Sequence, residues 1–214
     1  MIVLVLGTPD SGKSKIAEDI VMRLAEGLDP RAARGGEAAG PAGAVSTGAS
    51  VARGEAAGPA ASSGMDKLYI ATMIPFGEEG NRRIEKHRKM RAGKGFLTVE
   101  KYTEVDSLIG EIRDLGDKCC LLECMSNLVG NEMHDPRNLS LSDKDLEKLI
   151  TEEVLALGKS CGHLVVVANC FLTEDEGYDD ETRRYVRIAD HVNGILKDRA
   201  DETCELAEGE WHFL

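Results

Sequence analysis

The chain has 214 residues, 42% of them hydrophobic and 30% charged, a size and balance that suit one α/β domain with a sizeable core. A formal net charge of -12 argues against a general affinity for nucleic-acid phosphates, so no nucleic-acid partner is expected. No apolar run reaches bilayer-spanning length, and residues 2–6 are too short for a signal-peptide core and lack a basic leader, so the expectation is no membrane span and a cytoplasmic address.

Residues 1–6 form an unbroken run of aliphatic side chains, the pattern of a strand buried on both faces. Gly7-Thr8-Pro9-Asp10-Ser11-Gly12-Lys13-Ser14 follows and matches the P-loop pattern completely. Residues 13–24 then place Ile16, Ala17, Ile20, Val21 and Leu24 at helical spacing. Strand, glycine-rich turn and helix in this order are the context that the motif needs. Residues 27–64 change in kind: Ala, Gly, Pro and Ser dominate, and an imperfect repeat starts at Arg34 and again at Arg53. So few large apolar side chains cannot offset the entropy of ordering the segment. It reads as a disordered low-complexity insertion within a single domain covering residues 1–214.

A second strand is predicted at 68–73 and a strongly basic helix at 78–91. A short strand at 96–99, a helix at 105–115 and a buried strand at 119–123, ending in Glu123, come next. Ser142 can cap a helix running to 157, with Leu146, Leu149, Ile150, Val154 and Leu157 on one face. Residues 164–168 read as another buried strand, 180–197 as a helix, and 203–206 and 211–214 as weak strands. Strands alternating with helices predict an α/β fold of the P-loop NTPase kind, with a mostly parallel sheet and helices on both faces. The six cysteines, several inside strand-like runs, read as reduced core residues rather than disulfides or a zinc site.

In the P-loop, Gly7 and Gly12 permit turns closed to other residues, and the loop's N–H groups can approach a phosphate. Lys13 would reach the β- and γ-phosphates, and the Ser14 hydroxyl would ligate Mg²⁺. Asp10 is unusual, because an acid in a phosphate loop opposes the ligand's charge unless it points outward. Glu123 stands where P-loop enzymes place the acid of the magnesium shell. Its position alone equally suits an ordinary strand-end carboxylate. Residues 82–91 are a basic island in an acidic protein, and on a helix Arg83, His87 and Met90 or Arg91 share a face. Cations around an imidazole disfavour its protonated form and attract phosphates, which suits a nucleophile toward an α-phosphate. A solvated surface histidine is the plainer reading of the same residue. His134, His163, His191 and His212 show no partner spacing, and the acidic run at 174–181 reads as a solvated loop.

Together these features resemble the bifunctional adenosylcobinamide kinase / adenosylcobinamide-phosphate guanylyltransferase family of cobalamin biosynthesis. The landmarks are the P-loop, Leu68-Tyr69-Ile70-Ala71-Thr72, Arg83-Ile84 with His87, and Leu121-Leu122-Glu123-Cys124 with Asn127 and Asn131. Val167-Ala168-Asn169, Arg183, Ile188 and Val192-Asn193 complete them. The resemblance covers nearly the whole chain outside the low-complexity insertion. It implies that ATP or GTP donates a γ-phosphoryl group to adenosylcobinamide. GTP then guanylylates a histidine at the position of His87, and GMP passes on to give adenosylcobinamide-GDP. It further implies Mg²⁺ at Ser14 and Glu123, nucleotide contact by Arg83 and the P-loop, and a homo-oligomer, a trimer in this family. The chain departs from the family pattern at Asp10, at Cys170-Phe171-Leu172 after Asn169, and at Val186-Arg187. Two alternatives stand beside it: a P-loop small-molecule kinase without the guanylyltransferase step, and a non-catalytic nucleotide-binding relative. The joint presence of Lys13, Ser14, Glu123 and His87 argues against the second. No Asn-Lys-x-Asp motif occurs, which sets a signalling GTPase aside.

Overall fold

A computed structural model describes residues 1–33, 64–171, 177–207 and 209–214. The chain runs β1 (Ile2–Gly7), α1 (Lys13–Ala25), β2 (Asp66–Ala71), α2 (Gly77–Arg91), β3 (Phe96–Glu100), α3 (Leu108–Glu111) and β4 (Lys118–Glu123). It continues through α4 (Met125–His134), α5 (Asp143–Ser160), β5 (His163–Asn169), α6 (Asp180–Arg199), β6 (Glu202–Ala207) and β7 (Glu210–Phe213). These strands form one sheet in the order β3-β2-β4-β5-β1-β6-β7. Every pairing is parallel except β6 with β7.

The unbroken apolar runs are explained by two-sided burial. Leu4, Leu68, Ile70, Cys120, Leu122, Leu164 and Val166 pack on one face against α4, α5 and α6. Val3, Val5, Tyr69, Cys119, Leu121, Val165 and Val167 pack on the other against Ile16, Ala17, Ile20 and Val21 of α1. Strand register brings the functional ends together: Gly7 lies opposite Asn169, and Glu123 lies opposite both Val167 and Ala71. These five positions, on four strands, fall at the carboxyl edge of the sheet, where ligands bind in open α/β folds.

Four sequence expectations change in detail. The helix expected at 105–115 is broken: a 3-10 turn over Val105–Ser107 leads into the single turn of α3, Ile112 is extended, and Asp114 has φ 55. Gly110 weakens the helix, and Asp is one of the few residues that tolerates the left-handed region. Helix α4 was not predicted, although Met125, Leu128, Val129, Glu132 and Met133, all buried, have the helical period. Packed structure also extends past Gly27, where Pro30–Ala32 form a 3-10 turn with Pro30 buried. The rest of the low-complexity segment, residues 34–63, lies outside the described residues, as do positions 172–176, which hold Leu172 and the start of the acidic run. Of the six cysteines, all free, Cys170 is exposed and Cys124 half-buried, so the core reading holds for the other four.

Candidate active site

The loop between β1 and α1 has the close approach its glycines require. A Cβ at Gly7 would lie 2.6 Å from the Ser11 hydroxyl and 3.2 Å from the Trp211 ring. Gly12 has φ 84 and begins α1 with no side-chain cap, whereas Ser142 and Asp179 cap α5 and α6 with their own oxygens. The uncapped start leaves the first N–H groups of α1 facing outward, as an anion site needs. Asp10 also takes the left-handed region, at φ 58, and is exposed, which keeps its charge at the rim of the loop. Thr8 and Pro9 are exposed beside it. Lys13 is buried and donates to the Thr8 carbonyl at 2.8 Å. Desolvation lowers its pKa against the pull of Cys124, Glu123 and Asp10.

Glu123, at the end of β4, is 7% exposed and joins the loop to the basic helix. Its Oε1 accepts a hydrogen bond from the Ser14 hydroxyl and lies 3.2 Å from His87 Nδ1. That nitrogen is buried and has no aligned hydrogen bond. The Tyr69 hydroxyl lies by the same carboxylate, and Glu123 Oε2 is buried with no partner. Burial pushes the Glu123 pKa up, but His87, Ser14 and Tyr69 outweigh it and hold the carboxyl below its ordinary range. The bend after β4 is pinned through Thr72, whose hydroxyl accepts from Cys124 N at 2.7 Å and donates to Cys124 O at 2.9 Å. Asn131 in turn donates to the carbonyls of Thr72 and Tyr102, both at 2.8 Å.

Several cations of α2 share the cleft lining with His87, but most of those described have partners of their own. Arg88 pairs with Glu100, Lys89 with Glu85 and Arg82 with Glu78, while Arg91 stacks 3.4 Å over the Tyr69 ring. These four described cations are answered by nearby acids or an aromatic face, Lys86 lines the cleft beside His87, and the Glu123 carboxylate lies 3.2 Å from the imidazole. The position of Arg83 is given by α2, but its side chain lies outside the described residues.

Between the loop and α2 opens a cleft of about 570 Å³ that reaches Lys13, Ser14, His87, Glu123, Asn127 and Asn169. Its far wall holds Ser126, Phe171 and Tyr185, with Asn169 donating to Ser126 at 2.6 Å and Tyr185 to the Ser126 carbonyl at 3.1 Å. Asn193 secures the end of β5 by donating to the Asn169 carbonyl at 3.0 Å. The structure therefore brings Pro9, Asp10, Gly12, Lys13 and Ser14 of the P-loop, with Glu123 and His87, to one cavity. It leaves Arg183 at the surface beside Asp180. Sequence reasoning assigned no role to Tyr69, Ser126 or Tyr185. The signal available for Tyr69 was a polar-tipped aromatic inside an otherwise apolar strand.

The donors suit magnesium, a hard cation that takes oxygen ligands and keeps several waters. Ser14 Oγ and the unpartnered Glu123 Oε2 are such oxygens. Among the described residues no group of three or more His, Cys, Asp or Glu could hold a metal, so phosphate and water oxygens would complete the shell. Among the same residues no helix is long and apolar enough to cross a membrane.

A family model described as cobinamide kinase / cobinamide phosphate guanyltransferase matches residues 42–212. The match includes α2, β4 and Asn169 but not the P-loop, which stands on its own motif and geometry. No curated protein matches the chain. With a matched span of most of its length, a P-loop fold and a cleft that joins phosphate loop to histidine, the chain belongs to the cobinamide kinase / cobinamide phosphate guanyltransferase family of cobalamin biosynthesis, enzymes that act on cobinamide and nucleotide substrates.

Proposed function

We propose that this one cleft runs both reactions and that Glu123 serves each of them. The observation that carries the reading is the sharing of Glu123 Oε1 between Ser14 of the P-loop and His87 of α2. In the kinase step the P-loop amides and Lys13 hold the triphosphate, and a cobinamide hydroxyl oxygen attacks the γ-phosphorus. The bridging P–O bond breaks, a nucleoside diphosphate leaves, and the hydroxyl proton passes to the medium. Ser14 and Glu123 would hold Mg²⁺, which supplies positive charge against the phosphates. In the second step Glu123 faces Nδ1 of His87 and leaves Nε2 as the attacking nitrogen. An N–P bond forms to the α-phosphorus of GTP and pyrophosphate leaves. A phosphate oxygen of cobinamide phosphate then attacks, the N–P bond breaks, and GMP is transferred as His87 is restored. Arg83, on α2 four residues before His87, contributes to nucleotide binding.

Incubation with α-labelled GTP and Mg²⁺ should attach acid-labile, alkali-stable label to the protein. His87→Ala should abolish the label while nucleotide binding persists; label remaining on that variant defeats the nucleophile assignment. Transfer of γ-label to cobinamide without any protein label would leave the kinase half alone. The same reading takes the enzyme to be cytoplasmic and a trimer. Leu97 on the outer strand β3, and Ile74 and Phe76 between β2 and α2, are exposed apolar residues, which suits an interface between copies, and light scattering of the purified chain tests the number.

A further inference from the structure

We propose that Glu18 and Lys94 are positioning residues for His87, forming a latch that docks the histidine helix on the P-loop helix; this rests on His87 being the guanylyl acceptor. Helix α2 has little apolar surface with which to hold its place. Among its described side chains Ile84, His87 and Met90 are half-buried, and Arg91, in the last turn, is the buried one. Its docking is therefore concentrated at its C-terminal end.

Two contacts fix that end. The Arg91 guanidinium lies flat over Tyr69, 3.4 Å from the ring centroid. Three residues on, the Lys94 amide donates to the Arg91 carbonyl at 3.0 Å, and the Lys94 ammonium donates to Glu18 Oε2. Glu18 is wholly buried in the core-facing stripe of α1, between Ala17 and Ile20, where an aliphatic side chain would pack without penalty. A carboxylate is expensive in such a place unless a cation answers it. Burial raises the Glu18 pKa, and the hydrogen bond from Lys94 and the positive charge of Arg91 pull against that rise. The two cations that converge on this acid both come from the end of α2 and the turn after it.

His87 stands one helical turn before Arg91, on the same side of α2. Seating Arg91 and Lys94 against α1 and β2 therefore sets how far His87 stands from Glu123, now 3.2 Å. Attack on phosphorus tolerates little misplacement, and a shift of about 1 Å can cost about 10²-fold. The P-loop depends on the latch far less, because four fully buried aliphatic residues of α1 hold that helix even when Glu18 loses its cation. The latch should thus tune guanylyl transfer and leave phosphoryl transfer alone, which a merely stabilising ion pair would not do.

The experiment compares Lys94→Met, Lys94→Arg and the wild-type chain. Single-turnover labelling from α-labelled GTP at saturation should slow about 10- to 100-fold in Lys94→Met. Phosphoryl transfer to cobinamide should stay within about twofold, and Lys94→Arg, which keeps the cation, should recover labelling. Hydrogen exchange should quicken in residues 84–91 and not in α1. Equal losses in both reactions, or undiminished labelling in folded Lys94→Met, overturn the latch while label at His87 persists. Absence of label from the wild-type chain overturns the nucleophile reading and the latch together. Should Lys94→Met fail to fold, Lys94→Gln, which retains a donor toward Glu18 without the charge, carries the same comparison.

Discussion

The two helices that border the cleft are held in opposite ways. Helix α1 sinks Ile16, Ala17, Ile20 and Val21 completely into one face of the sheet. Helix α2 rides above the sheet on cations, with its firmest contacts at Arg91 and the following Lys94. The difference matches the roles proposed for the two helices. A phosphate loop works as a fixed cradle of amides, so its helix is anchored by close packing that resists displacement. A residue that takes up and gives back a nucleotidyl group faces two different partners in turn, and a helix held by polar contacts at one end can accommodate both. Glu123 sits between these regimes, on a rigid strand, touching a side chain from each.

Removing the charge that joins them should have the largest effect. Glu123→Gln keeps the shape of the side chain but weakens its pairing with His87 and its affinity for a metal. Both reactions should fall by about 10²-fold or more, the scale seen when one electrostatic contact to a reacting centre is lost. Parallel measurement of γ-transfer and protein labelling checks this, and loss of one reaction alone would show that Glu123 belongs to a single half of the cleft.

Packing can be separated from chemistry by paired truncations. Ile20→Ala opens a cavity in a fully buried site and should cost about 2–5 kcal/mol in urea unfolding. Ile84→Ala, on half-buried α2, should cost less than about 1.5 kcal/mol. Equal costs would mean that α2 is packed as firmly as α1 and would erase the contrast.

The same contrast explains what the sequence could and could not convey. The P-loop, the buried strands and the acid at position 123 were legible because each is written locally, in a motif or an unbroken apolar run. The surroundings of His87 were not, because they depend on how α2 lies across β2 and β4. Periodicity placed Arg83 and Arg91 on the face of His87; it could not show that Arg91 stacks on Tyr69 or that Glu123 comes to 3.2 Å from the imidazole. Glu18 was equally hidden: it lies inside an apolar stripe, and its cation comes from residue 94, a separation no local pattern reveals. Helix α4 was readable in its spacing and missed, since Ser126, Asn127 and Gly130 dilute its helical propensity.

On the opposite face of the sheet a second buried carboxylate tests the role of a cation such as Lys94. Glu153 of α5 is 7% exposed and its Oε2 has no partner. Burial, and then the like charges of Glu132 and Asp106, push its pKa up to about 8. Glu132, shielded on α4, is shifted upward as well, chiefly by burial. Between the ordinary carboxylate range and about pH 8 the folded chain thus keeps a proton that the unfolded chain releases. Raising the pH through that window therefore favours unfolding, so this site's contribution is greatest at the acid end and is lost toward pH 8. The slope for one proton is at most about 1.4 kcal/mol per pH unit. Glu153→Gln, which remains neutral throughout, should flatten the fall in the urea midpoint between pH 5 and 8 and leave protein labelling by GTP unchanged. A slope identical to that of the wild-type chain would show that Glu153 is already ionised in the fold, held without a cation by contacts as effective as those Lys94 provides to Glu18.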